Sequence, residues 1–239
     1  MKKLTEDLLS ILEYHETPYE KVKELIDKGA DTNGRGKDDY TPLMIAAQRG
    51  LINECNLLLE KGASVNAQTM RGVTALYNAS LEGYSKVSIF LIHHKSIVDI
   101  PTRTDPDQHG ISIGTGITPL FWAAHHGDSE LCKLLIKEGA IVNRFIAEGF
   151  LQGDTPLHWA VIAQQSQVCK ILIDAGVSID AQNYQGMTPL HEAAYRGYTS
   201  LAALLLNEGA DRTLQDNDGT TAGDLAKAHS KELSGLFTL

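Results

Sequence analysis

The sequence predicts an all-α solenoid in which pairs of helices stack on one another along the chain. Three observations predict this fold class: a short motif beginning with threonine recurs, its spacing is nearly constant, and a second apolar segment follows each full copy. The copies begin at Thr41, Thr74, Thr118, Thr155, Thr188 and Thr221. The steps between them are 33, 44, 37, 33 and 33 residues, so a period of 33 with insertions of 11 and 4 residues describes the series.

The motif predicts the first helix of each pair. In the copy Thr118-Pro119-Leu120-Phe121-Trp122-Ala123-Ala124, threonine stands where a side-chain oxygen caps a helix, and proline occupies the first helical position. The two alanines give this helix a flat side, so that neighbouring helices can approach closely. Glycine follows in most copies, for example Gly127, at the position where a helix commonly ends in the left-handed conformation.

Apolar triplets such as Leu134-Leu135-Ile136 predict a second helix in each pair. One position of this helix, 14 residues after the threonine, holds the three cysteines, Cys55, Cys132 and Cys169. Ser88 and Ala202 stand there in the other two copies, so we expect a small, buried core position. Cysteines placed in this way do not predict a disulfide framework, which favours a reducing compartment.

The copies Thr155-Pro156-Leu157-His158 and Thr188-Pro189-Leu190-His191, with Gly-Ala turns such as Gly62-Ala63, resemble the ankyrin-repeat family. The resemblance runs over nearly the whole chain and rests on a specific repeat signature. It implies an ankyrin-repeat solenoid of stacked helix pairs, with a β-hairpin finger loop, here called a finger, ahead of each motif. It also implies that His158 and His191 form structural hydrogen bonds between neighbouring repeats.

The expected domain organisation is a single ankyrin-repeat domain over residues 1–239. Its parts are an N-terminal capping helix pair at 1–37, five full repeats at 38–215 and a C-terminal capping repeat at 216–239. The two insertions lengthen the fingers near 102–112 and 146–149. We number the five full repeats from the motif threonines, beginning with Thr41.

The N-terminal pair lacks the motif. Leu4 to Tyr14 predicts an amphipathic helix, and Thr17-Pro18-Tyr19-Glu20 predicts a capping box that opens the next helix. Two later positions depart from the family pattern, because Lys95 and Gln164 stand where glycine is expected. Three further departures replace the motif histidine in the first three repeats, at Met44, Tyr77 and Phe121. The resemblance therefore implies a softer N-terminal half.

The resemblance implies that a partner protein lies across a concave face made by the finger tips and the first helices. By register, the predicted partner-binding residues are Tyr40, Arg71, Trp122, His125, His126, Phe145, Phe150, Leu151, Trp159, Tyr184, Tyr195 and Arg196. Tryptophan, tyrosine and arginine are the residues that most often anchor interfaces. Because both tryptophans, the histidine pair and both insertions belong to the third and fourth repeats, we expect the main contact there. For Phe145 and Phe150, packing on each other or on the adjacent finger is the alternative.

Sequence patterns for catalysis or metal binding are incomplete. His191-Glu192 begins like a zinc-protease helix, but the second histidine four residues later is missing. Asp105 to Gly110 resembles the start of a calcium loop, yet Gly116 stands where the twelfth-position glutamate is required. No Ser/His/Asp or Cys/His set converges under the repeat register. We therefore predict a non-enzymatic protein with no cofactor and no metal site.

The formal net charge of −9 disfavours nucleic acid as a partner, because such proteins usually carry a basic face. The same charge suits partners with basic patches. No apolar run is long enough to cross a bilayer. Glu6 and Asp7 interrupt what would be the apolar part of a signal peptide after Met1-Lys2-Lys3. We expect a cytoplasmic monomer with no membrane insertion.

The leading functional prediction is a protein-protein interaction module that acts as a cytosolic adaptor, inhibitor or scaffold. One alternative is an effector delivered into the host-cell cytosol by an intracellular bacterium. Another is a regulatory subunit that docks a separate catalytic protein. The resemblance also places Asn66 and Asn143 where family members can be hydroxylated by a eukaryotic asparaginyl hydroxylase.

Overall fold

The structure is a computed structural model that describes residues 2–14, 18–103, 114–149 and 151–238. The chain divides into two compact units, residues 1–105 and residues 106–239. The first unit contains the first and second repeats, and the second unit contains the third, fourth and fifth. The single domain expected from the sequence stays a prediction.

The described residues are helical throughout both units. The first unit contains α1 (Lys2–Glu13), α2 (Tyr19–Asp27), α3 (Pro42–Gln48), α4 (Ile52–Glu60), α5 (Ala75–Leu81) and α6 (Ser85–His93). The second contains α7 (Pro119–His126), α8 (Ser129–Lys137), α9 (Pro156–Ile162), α10 (Ser166–Asp174), α11 (Pro189–Tyr195), α12 (Thr199–Asn207), α13 (Ala222–Ala226) and α14 (Lys231–Gly235). Extended pairing in the described residues is limited to the isolated bridges Thr115–Glu148 and Gln215–Thr221. The predicted all-α fold is confirmed, and its fingers are tight turns rather than regular strands.

The motif threonines begin the first helices as predicted. The side-chain oxygens of Thr41, Thr74, Thr155, Thr188 and Thr221 accept a hydrogen bond from the backbone N–H of the third helical residue. Each of these bonds satisfies one backbone donor that the helix itself leaves unpaired. Thr118 occupies the same N-cap position without such a side-chain bond.

Each unit consists of two layers of helices. In the first unit α1, α3 and α5 pack side by side, while α2, α4 and α6 form the second layer. In the second unit α7, α9, α11 and α13 form one layer, and α8, α10, α12 and α14 lie behind it. Alanine pairs such as Ala123-Ala124, which are at most 1 % exposed, let the first helices approach closely. The helix pairs are therefore stacked, as the repeat predicts.

The three cysteines lie where the register predicted. Cys55, Cys132 and Cys169 are fully buried on α4, α8 and α10, and Ser88 and Ala202 are equally buried at the equivalent positions. Burial raises the pKa of each cysteine thiol to about 12, so the thiols are protonated at neutral pH. These side chains serve as small core residues.

Two buried histidines join successive repeats, as the resemblance implied. His158 Nδ1 accepts from the backbone N–H of Thr155 at 3.2 Å, so its Nε2 carries the proton and donates to the Met187 carbonyl at 3.1 Å. His191 repeats this arrangement, and its Nε2 donates to the Thr220 carbonyl at 3.2 Å. Burial lowers the pKa of His158 to about 4, because an imidazolium there would lose both solvent and one hydrogen bond.

Helix α2 begins at Tyr19, with Pro18 at its N-cap position, one residue after the threonine that the sequence predicts as the cap. The side chain of Pro18 forms no capping hydrogen bond. Thr17 lies outside the described residues, so the capping box that it would form with Glu20 stays a prediction.

Lys95 and Gln164, which replace glycine, keep the backbone conformation that glycine adopts at this position of the repeat. Lys95 and Gln164 have φ values of 69° and 58°, in the left-handed region. A side chain there makes an unfavourable contact with the backbone, which glycine avoids. The repeat geometry therefore imposes this conformation even where the sequence does not favour it.

Lys95→Gly is expected to stabilise the chain by about 1 kcal/mol, because relief of left-handed strain outweighs the greater entropy loss of glycine. The matched control is Gly62→Lys in the same unit, where φ is +87° and a Cβ would meet nothing within 4 Å. The free energy of unfolding of this control should fall by a similar amount, because only the backbone conformation disfavours the new side chain. Urea unfolding of both variants measures the effect, and a stability loss in Lys95→Gly would contradict it.

Cys132→Asp is expected to unfold the chain or to destabilise it by several kcal/mol, because an unpaired charge would enter a fully buried site. Lys133→Ala, at the neighbouring exposed position of α8, is the control and should stay near wild type. Thermal unfolding followed by circular dichroism measures both. Wild-type stability of Cys132→Asp would show that the site is accessible to solvent.

The stability of the second unit is expected to fall as the pH decreases from about 6.5 towards 4. The unfolded chain, whose histidine has an ordinary pKa, binds the proton before folded His158 does, so acid favours unfolding. His158 alone should account for about 2 kcal/mol between pH 7 and pH 5. The control is His158→Met, because methionine, as Met44, stands at the equivalent position of the first repeat. Its unfolding free energy should depend less on pH, and an unchanged dependence would exclude His158 as the cause.

Candidate functional site

Aromatic side chains gather on the finger-and-first-helix side of the third and fourth repeats. Trp122, His125 and His126 share one side of α7, because residues three and four apart lie together on a helix. The Trp122 ring lies 4.9 Å from Trp159 of α9, edge to face, and 6.5 Å from the His126 ring. His125 contacts Trp159 at 5.9 Å. We call Trp122, His125, His126 and Trp159 the aromatic shelf.

The members of the shelf differ in exposure. His125 and His126 are exposed and Trp122 is half-buried, whereas Trp159 is only 6 % exposed. The Phe121 ring packs edge to face against the Trp159 ring, with 5.4 Å between the ring centroids. This burial changes the role expected for Trp159, which supports Trp122 and His125 instead of offering its own face to a partner.

The environment of the shelf disfavours a charge on His125. Partial burial, followed by the neighbouring His126, lowers the pKa of His125 below its ordinary value. The shelf therefore presents π-faces and a His125 ring whose uncharged form is favoured.

A cavity of about 140 Å³ opens between the fourth and fifth repeats. The fingers contribute Leu151, Gln152 and Tyr184, and the first helix α11 contributes Glu192 and Arg196. Three of these, Leu151, Tyr184 and Arg196, are predicted partner-binding residues that the fold brings to one place. Arg196 Nε donates to Glu192 Oε2 at 2.9 Å, and Glu192 is 6 % exposed. We call this space the acidic cavity.

Sequence reasoning missed the innermost residue of this cavity, Asp154. Asp154 is 2 % exposed, and burial raises the pKa of its carboxyl above the ordinary value. Asn183 Nδ2 donates to its Oδ1 at 3.0 Å. Asn183, the nearby Trp159 side chain and the charge of Arg196 oppose this rise in pKa. A signal was present in the repeat register. The residue before the motif threonine is acidic only here, since the other copies have Tyr40, Val73, Ile117, Met187 and Thr220.

In the first unit, Tyr40 and Arg71 line a cavity of about 760 Å³ together with Asp38 and Arg49. The exposed side chain of Met70 stands at its edge. Burial raises the pKa of Tyr40, and a hydrogen bond from Asn78 opposes this shift. The predicted finger and groove positions of the first two repeats therefore surround one space.

The remaining predicted residues are dispersed over the second unit. Phe145 and Tyr184, 59 % and 71 % exposed, line a groove of about 470 Å³ between two fingers. Phe150 lies outside the described residues, so its packing against Phe145 stays a prediction. Tyr195 is 61 % exposed at the end of α11, and its carbonyl accepts from His229 Nε2 at 2.9 Å. Within the second insertion, Ile146 is fully buried.

Both asparagines named as hydroxylation positions bridge successive repeats. Asn66 Nδ2 donates to the Lys95 carbonyl at 3.1 Å, and Asn66 Oδ1 accepts from the Ile97 N–H at 2.8 Å. Asn143 makes the equivalent pair of bonds to Gly176 and Ser178. These amides thus have a structural role, and their hydroxylation stays a prediction.

The described residues contain no group of three or more His, Cys, Asp or Glu side chains arranged to hold a metal ion. In the same part of the chain, every helix is too short or too polar to cross a bilayer.

Comparison with known families identifies the repeat. Models of ankyrin repeats match residues 13–104 and 98–183, and a second ankyrin-repeat model matches residues 172–226. The human ASB11 ankyrin repeat domain, known from a crystal structure, superposes with a TM-score of 0.75 at 26 % sequence identity. That superposition covers 98 % of this chain and 95 % of the ASB11 chain.

Curated relatives match over part of the chain. The ankyrin repeat and KH domain-containing protein mask-1 of Caenorhabditis elegans is 34 % identical over 117 residues, which is 48 % of this chain and 4 % of that protein. The human ankyrin repeat and KH domain-containing protein 1 is 37 % identical over 86 residues, 35 % of this chain and 3 % of that protein. The poly [ADP-ribose] polymerase tankyrase of C. elegans is 30 % identical over 136 residues, 49 % of this chain and 6 % of that protein. This chain therefore spans a small fraction of these relatives' lengths.

Proposed function

Because this chain belongs to the ankyrin-repeat family, we propose that it is a cytosolic adaptor, inhibitor or scaffold that binds a partner protein on the aromatic shelf. Ankyrin repeats indicate a protein-protein interaction module, and the fold is typically a non-enzymatic binding module. The activity in the name of tankyrase belongs to that protein, of which the match covers 6 %.

The aromatic shelf is the observation that supports this proposal most directly. It combines a half-buried tryptophan with two exposed histidines on the first helix of the third repeat. Trp122 cannot move freely, because Trp159 packs against it with 4.9 Å between the ring centroids and is itself packed against Phe121. A rigid aromatic group loses little entropy on binding, which suits an interface anchor.

The extent of the surface is sufficient for a specific complex. A standard interface buries about 800 Å² on each partner, from about 20–30 residues. The shelf, the acidic cavity and the groove between Phe145 and Tyr184 together occupy three adjacent repeats of the second unit. We further propose a monomer in the cytoplasm whose partner is a protein rather than a nucleic acid, given the net charge of −9.

Trp122→Ala is expected to weaken binding of the partner about thirtyfold, since loss of an anchoring aromatic side chain typically costs 2 kcal/mol or more. The partner is first recovered from a cytosolic extract with immobilised wild-type chain and then purified. Affinity is measured with purified components by isothermal titration calorimetry, after circular dichroism shows that the variant is folded.

Lys133→Ala is the control, because Lys133 is exposed on α8 in the opposite layer of helices. His125→Ala tests a second shelf residue without touching the core. The proposed surface is wrong if Trp122→Ala and His125→Ala bind as tightly as wild type while Lys133→Ala binds more weakly.

A further inference from the structure

The acidic cavity contains a buried carboxylate, Asp154, whose side-chain hydrogen-bond partner is a neutral amide. Asp154 is 2 % exposed, and Asn183 Nδ2 donates to its Oδ1 at 3.0 Å. None of the ion pairs in the described residues of the second unit includes Asp154. The charge of nearby Arg196 attracts Asp154, but Arg196 forms its ion pair with Glu192. A buried carboxylate without a direct ion pair is costly, so this arrangement favours a positive group that comes from outside the chain.

The charges around the cavity do not balance. Glu192 is the second carboxylate of its lining, and Arg196 is paired with Glu192 at 2.9 Å. Two carboxylates thus face one guanidinium, and one negative charge remains in excess. Burial also raises the pKa of Asp154, because the ionised carboxylate has lost its water.

The walls and size of the cavity suit a small cation. Its volume of about 140 Å³ exceeds that of several water molecules, which fill ~30 Å³ each. Tyr184 stands at the rim with its side chain 71 % exposed. Two hydrogen bonds fix the backbone of Tyr184. Its N–H donates to the Gln152 carbonyl at 2.8 Å, and its carbonyl accepts from Asn217 Nδ2 at 2.7 Å. Aromatic faces attract cations, so this ring adds to the attraction of Asp154.

We propose that the acidic cavity receives one cationic side chain, arginine or lysine, from the partner protein, with Asp154 as its counterion. The inference rests on the proposed function and adds the chemistry of the group that is recognised. Residues 114–238 carry fourteen Asp and Glu against eight Lys and Arg, so their charge complements a basic segment. Trp159 of the aromatic shelf lies close to Asp154, so the cavity and the shelf are neighbours, and one extended segment of the partner can contact both.

The test uses two small probes, N-acetyl-arginine methylamide and N-acetyl-citrulline methylamide. They have nearly the same shape, but only the first is charged. Each is titrated into the full chain while the side-chain amide signal of Asn183, which donates to Asp154 Oδ1, is followed by NMR. The arginine probe should shift this signal saturably, and the citrulline probe should leave it unchanged at the same concentration.

Asp154→Asn is the matched variant, since it keeps the shape of the side chain and removes its charge. It should weaken binding of the arginine probe by about tenfold or more. Glu138→Gln removes one negative charge from an exposed position at the end of α8 and should bind as wild type does. Equal shifts by both probes, no saturable shift with arginine, or wild-type affinity in Asp154→Asn would each overturn the proposal. The two-probe comparison on the wild-type chain stands even if the variant does not fold.

Failure of this inference is distinct from failure of the proposed function. If the purified partner loses affinity with Trp122→Ala but not with Asp154→Asn, the shelf is an interface and the cavity is not its cation site. If the arginine probe binds the cavity but no partner depends on Trp122, the cation site stands and the proposed function on the shelf fails.

Discussion

The close contact between first helices is the interaction on which the rest of each unit depends. A helix pair of about 33 residues cannot bury its apolar side alone, so it becomes stable only when a neighbouring pair covers that side. The alanine pairs make this possible, because Ala123 and Ala124 are at most 1 % exposed against the adjacent helix. The second helices pack behind this layer, and Cys132 is fully buried there.

Polar groups reinforce the same contacts between repeats. His158 and His191 each bind the threonine of their own repeat and a carbonyl of the next, so the capping of one helix is tied to the position of its neighbour. Asn66 and Asn143 do the same on the turns that follow the second helices. Because these groups are uncharged when buried, they connect the repeats without the cost of a buried ion.

Asp154 differs from these uncharged groups because it is a buried carboxyl group. It lies beside the surface that we propose for binding. A carboxylate that is 2 % exposed, accepts a hydrogen bond from a neutral amide and has no direct ion pair contributes little to folding. Its position links Trp159, and through it the aromatic shelf, to a cavity lined by Tyr184 and Arg196. A buried ionisable group with a shifted pKa beside a surface cavity is characteristic of sites that bind another molecule.

The sequence by itself determined the repeat, the helix starts at the motif threonines and the buried cysteine position, because each depends on local register. The histidine bridges were implied by the resemblance to the ankyrin-repeat family. The sequence did not determine which side chains are exposed among those at equivalent positions of different repeats. Trp122 and Trp159 occupy equivalent positions, yet only Trp122 is half-exposed, since Phe121 and Trp122 both pack against Trp159. Only the tertiary structure decided this, because exposure and the environment of Asp154 depend on side chains from different repeats that the period does not relate.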